Sequence, residues 1–206
     1  MCEESKERNS SIKSSKARKD SFNLSLKGSI GLFGKVISSL KSNKMDFSIC
    51  ESIFLFRIKS MIEKNRKRKN ERKSTIFDSN YLDNDDIEQT IPKIFKIFEV
   101  DGLIIFLSLF LLEKNIYKNK IIIDEKNIIK YVVISLVETI KFNVDDSNID
   151  SNVVCSILKI DKEMLLNLEF HFLKLVDYKL KIDQEKFYLY KQKIMIPWID
   201  YLKSLL

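Results

Sequence analysis

From residue 75 onward, apolar positions recur at three- and four-residue steps and are broken by short polar intervals, a rhythm that predicts consecutive helices. The first runs over 85–98, with Asp83, Asp85 and Asp86 placed for the positive end of its dipole and Pro92 either kinking it or beginning its regular part. Asp101 and Gly102 break the pattern before a second helix over 103–115. A third covers 127–142 without glycine or proline, too long for an ordinary strand and suited to a buried helix. Asp145, Asp146, Ser147 and Asn148 form a polar turn, and a short fourth helix spans 150–156. Asp161 is a natural N-cap for a fifth. In that helix Leu165, Leu168, Phe172 and Leu175 make one stripe, and Leu166, Phe170, Leu173 and Val176 a second. Two apolar faces place it near the centre of a bundle. A closing helix runs from 184 to about 196, where Pro197 interrupts it.

Upstream, 46–64 carries Phe47, Cys50, Ile53, Phe54, Phe56, Ile58, Met61 and Ile62 at mostly helical spacing and reads as a further helix docking on the core. Residues 1–45 are rich in Ser and Lys, hold three of the four glycines and read as a disordered tail. Within it, Ile30 to Leu40 carries enough apolar side chains for a short amphipathic contact with a membrane or partner, weakened by Gly31 and Gly34. The organisation is therefore a basic tail over 1–45, an N-terminal helix over 46–64, a basic linker over 65–74, a helical domain over 75–190 and a C-terminal segment over 191–206.

Composition changes this picture little, and charge changes it more. Of the net +7, residues 1–45 carry ten Lys/Arg against four Asp/Glu, and 65–73 six against one. Residues 74–206 carry seventeen against twenty-one, so the folded region is slightly acidic and its charge speaks against nucleic acid as a partner. Cys2, Cys50 and Cys155 are far apart and His171 is the sole histidine, which disfavours a zinc site or disulfide framework. The longest uncharged apolar stretch, 103–112, is about half of what a membrane span needs. With a charged, serine-rich start in place of a secretory signal, the expected location is intracellular, in nucleus or cytoplasm.

Individual residues sharpen the outline. Leu168-Glu169, Phe172-Leu173, Asp177-Tyr178-Lys179-Leu180 and Glu185 with Phe187 occur in order near the C-terminal end. Asn127 with Lys130, then Lys141-Phe142 followed by Asp145-Asp146, mark the third helix. Ile76-Phe77-Asp78-Ser79 and Leu112-Glu113-Lys114 are weaker matches. Over 75–190 this ordered set resembles the P-type cyclins, the single-box family of the fungal phosphate-signalling and plant U-type cyclins. The chain departs from the family where Thr139-Ile140 stands in place of two alanines, and it lacks a Tyr-Asn-Asn element after the two acids.

The resemblance implies an all-α fold, a five-helix cyclin box with an added N-terminal and C-terminal helix. It implies a regulatory, activating subunit that forms a heterodimer with a cyclin-dependent protein kinase in cell-cycle or phosphate and growth signalling. No catalytic, cofactor-binding or metal-binding residue is expected of it. Family members use a lysine ending the third helix and a glutamate in the fifth to grip polar groups around kinase helix C. Lys141 and Glu169 match those positions, with Leu173, Tyr178 and Leu180 as apolar contacts. Without the resemblance, Lys141 is a surface lysine favoured by a helix dipole and Glu169 a solvated position.

Catalytic readings fail on inventory, since the sequence holds no Gly-rich phosphate loop, no Ser/His/Asp order and no Cys-His pair. Asp145-Asp146 read as helix-end acids rather than a metal site. Two further functions fit the same fold: an adaptor in transcription, which would need a basic face on the domain, and an interaction scaffold without a kinase.

Overall fold

The computed structural model describes residues 45–68, 71–78, 87–144 and 149–204, with the side chains of 199 and 201–204 excepted. The tail, the acids Asp83, Asp85 and Asp86, and the Asp145–Asn148 turn lie outside the described residues. Among the described residues every regular element is a helix: α1 (Phe47–Arg66), α2 (Ile87–Ile97), α3 (Gly102–Asn119), α4 (Ile128–Asn143), α5 (Ser151–Leu158), α6 (Lys162–Leu175) and α7 (Gln184–Ser204). The all-α expectation is met, with the helices in the expected order.

Most helix starts follow from capping. Asp46, Asp101, Asp150 and Asp161 each accept a backbone N–H of the first turn, satisfying donors that the helix itself leaves open. Asn127 behaves differently. It makes no cap bond; its side chain accepts from Asp124 N–H and donates to the Ile122 carbonyl, holding the turn that leads into α4. Gly102 opens α3 rather than breaking the pattern, because a Cβ there would lie 2.5 Å from the Met45 carbonyl oxygen and 3.1 Å from Cys50 Sγ. Only hydrogen fits where the start of α1 crosses α3.

The contact pattern sets 44–191 apart as one unit, which contains α1 together with the helices that follow. Its axis is α4, which touches α2, α3, α5 and α6 and is buried at every position from Ile128 to Ile140. α3 lies along α4 and also packs on α1, where Ile49, Cys50, Ile53, Phe54, Ile58, Met61 and Ile62 are buried. Phe56, expected to dock, is half exposed. Phe54 meets Phe95 of α2 edge-on at 5.1 Å between ring centres. Phe106 and Phe110 of α3 face Phe187 and Tyr190, which begin α7, at 4.9 to 6.3 Å.

The 65–74 segment is more than a solvated linker. Arg72 is largely buried, pairs with Asp78, and lies 3.2 Å from Asp124. Asp78 also accepts from the Ser74 and Thr75 hydroxyls, and buried Lys130 donates to the backbone carbonyls of Asp78 (2.6 Å) and Ile76 (3.4 Å). Phe77 stacks on Tyr131 at 3.9 Å. Two cations thus pin the 72–78 turn against α4, and Lys130, matched in sequence as a family feature, acts here as a buried tie.

Two expectations are corrected. α6 is not central: it buries Leu165, Leu168 and Phe172, while Leu166 and Phe170 of the second stripe face solvent and Leu173 is half-buried. Its second stripe is a surface feature, save Val176. α7 does not end at Pro197 but continues to Ser204. The N–H that proline lacks would have bonded the carbonyl of Lys193; both residues are exposed, so water can take that acceptor. Of the two alternatives for Pro92, the structure has it inside α2, sixth of eleven residues, and not at its start.

Candidate functional site

Lys141 occupies the last turn of α4, where a cation complements the helix dipole. The side chain is 41% exposed and Nζ lies 2.7 Å from Glu169 Oε1, in the middle of α6. Glu169 is only 14% exposed, so this is a half-buried ion pair joining the two helices rather than a solvated surface contact. The two residues singled out from sequence therefore point to the same side and touch.

Leu173 follows Glu169 by one helical turn and lies on the same side of α6, half-buried. The chain then leaves the helix through two consecutive left-handed residues, Asp177 (φ 53°) and Tyr178 (φ 56°). Tyr178 N–H donates to the Leu173 carbonyl at 2.8 Å, closing the helix end. That turn holds the Tyr178 ring 59% exposed. A left-handed conformation is unfavourable for a bulky aromatic residue, and here it keeps the ring in solvent. Asp177 is tied to Lys118 of α3, whose ammonium, as a hydrogen-bond donor and nearby charge, holds the carboxyl below its ordinary range. Leu180 is half-buried in the extended chain that follows.

Two features escaped the sequence reading. Around the five residues, Phe142, Val144, Leu166 and Phe170 are exposed and apolar. Phe142 and Phe170 directly follow Lys141 and Glu169, and Lys174 lies over the Phe170 ring at 4.1 Å. Alternation in the apolar stripes was the available signal for Leu166 and Phe170, but it was spent on the core. The second feature is Glu138, one turn before Lys141, with 7% exposure and its Oε1 3.7 Å from Lys141 Nζ. Burial raises its carboxyl pKa; Lys141 lowers it and Glu169 raises it further. A single glutamate in an apolar run gave no periodic signal.

The arrangement offers a half-buried charged pair with exposed apolar side chains next to it in sequence. Among the described residues no three His, Cys, Asp or Glu side chains gather to hold a metal, and no helix is long and apolar enough to cross a membrane. No protein-family model matches the chain, and no curated protein matches it.

Proposed function

We propose that this chain is a single-box cyclin, the activating regulatory subunit of a cyclin-dependent protein kinase, with the box formed by α2 to α6. One observation carries the reading: Lys141 and Glu169 meet at 2.7 Å between α4 and α6, each followed in sequence by an exposed phenylalanine, Phe142 and Phe170. Phosphoryl transfer in a kinase needs a strand lysine paired with a glutamate on helix C, and a partner that favours the inward helix C switches the enzyme on. It does so only through its differential affinity for the active conformer. A rigid α4 and a capped α6 present the polar pair and its apolar surround with little left to order on docking, which conserves binding energy.

The test is a Lys141→Ala, Glu169→Ala double variant assayed for activation of a cognate cyclin-dependent kinase and for helical circular dichroism. Loss of about a hundredfold or more in affinity is expected, the usual result of truncating a desolvated charged contact, with the helical spectrum intact. Full activation by the folded variant would remove this surface from the mechanism.

A further inference from the structure

Glu138 has no place in the reading above, yet its surroundings are specific. Lys141 Nζ stands 2.7 Å from Glu169 Oε1 and 3.7 Å from Glu138 Oε1, so a single ammonium lies between two carboxylates. Only the first contact is a hydrogen bond; the second is too long. Among the described residues, Lys141 and Glu169 are the charged groups that act on Glu138. One ammonium therefore serves two carboxyl groups, and the more buried of the two, Glu138, has the longer contact. No lysine or arginine occurs between 142 and 158 in the sequence. Lys174, the basic residue in the last turn of α6, is engaged with the Phe170 ring.

A buried carboxylate that must share its counter-charge, at 3.7 Å, with a second acid is unfavourable for the free chain. Among its α4 neighbours Leu136, Val137 and Ile140 are apolar and buried, and the buried hydroxyls of Ser135 and Thr139 donate to backbone carbonyls, so nothing in that pattern calls for an acid at 138. What the acid offers is a site for a second cation. We infer that Glu138 and Glu169 form an acidic slot, covered by Lys141 in the free chain, that receives an arginine or lysine side chain of the docked kinase. This rests on the kinase-subunit reading. Lys141 is exposed enough to swing outward to backbone carbonyls of the partner, leaving the two carboxylates for the incoming cation. A guanidinium, with its planar fork of donors, can span both. The adjoining Phe142 and Phe170 rings would withdraw the contact from water and strengthen it.

The experiment uses the full chain with each cyclin-dependent kinase catalytic subunit encoded in the same genome, purified one at a time. Affinity is measured for the wild type, Glu138→Gln and Glu138→Leu, together with the melting temperature of each free chain. Both variants should bind the kinase about tenfold or more weakly, in keeping with close charge pairs at interfaces, while melting at or above the wild-type temperature. Alanine replacement of one Arg or Lys in the helix C region of the kinase should weaken wild-type binding and add nothing to the Glu138→Gln loss. Wild-type affinity in Glu138→Gln, or additive losses with every kinase variant, overturns the slot and leaves the kinase-subunit reading standing. A melting temperature that falls along with affinity makes Glu138 a structural residue and also overturns it. If the wild-type chain binds none of the kinases, the kinase-subunit reading itself falls, and the slot with it.

Discussion

Lys141 at the end of α4 and Glu169 in the middle of α6 are 28 positions apart in sequence and 2.7 Å apart in space. The link joins the end of α4, buried throughout from Ile128 to Ile140, to α6, whose Leu166 and Phe170 are exposed. Because Glu138 shares the same lysine, the ammonium balances two acids, and its removal has a predictable consequence.

Lys141→Met should destabilise the free chain by about 1 to 2 kcal/mol, more than a solvated pair contributes, since it leaves two largely buried carboxyl groups without their shared cation. Glu138→Gln in the Lys141→Met background should recover much of that loss. Urea unfolding of the four chains of this double-mutant cycle checks it, and additivity would mean the two residues do not interact.

Glu138 should also leave a mark on the pH dependence of stability. Burial raises its carboxyl above the usual carboxylate value, so the folded chain holds this proton more tightly than the unfolded one. Its contribution is therefore most favourable below the unfolded value and declines as pH rises through the raised folded value. Relative to wild type, Glu138→Gln should gain stability across that upward window, a gain that vanishes in acid. Chemical unfolding at a series of pH values measures the difference.

Tyr178 pairs a left-handed backbone with an exposed ring, so stability and docking should separate there. Tyr178→Gly removes the steric cost of the conformation and should stabilise the free chain by up to about 1 kcal/mol. The same change removes an aromatic contact from the proposed kinase face and should weaken activation, whereas loss of stability would show that the ring is held by packing.

Gly102→Ala tests the crossing of α1 over the start of α3. Alanine ordinarily favours a helix over glycine by about 1 kcal/mol, yet the added Cβ would meet the Met45 carbonyl at 2.5 Å. Overpacking of this kind costs about 1 to 3 kcal/mol, so the variant should melt lower than wild type. A higher melting temperature would mean that the start of α1 moves aside easily.

The helices themselves were readable because their signals are local. Asp161 followed by an apolar run, or sixteen residues without glycine or proline, states a helix to any neighbour it meets. The extension of α7 past Pro197 was missed because proline's penalty depends on whether the orphaned carbonyl can reach water, a tertiary matter. Arg72 was assigned to a charged linker for the same reason: its partners Asp78 and Asp124 are brought together only by the fold. Lys141 and Glu169 were named through a resemblance, and nothing in their spacing fixes the distance between them. Glu138 was passed over, since one acid in an apolar helix looks like a solvated position until burial is known.

Periodicity and capping residues by themselves determined that the described part of this chain is helical and roughly where each of its helices begins, because those signals act within a few residues. They could not determine which apolar stripe of α6 turns inward. Leu165, Leu168 and Phe172 obey the same spacing as Leu166, Phe170 and Leu173, and either set could have faced the core. Packing against α4 and α5 decided it. Burying one stripe leaves the other in water, and that choice created the exposed apolar face beside Lys141 and Glu169.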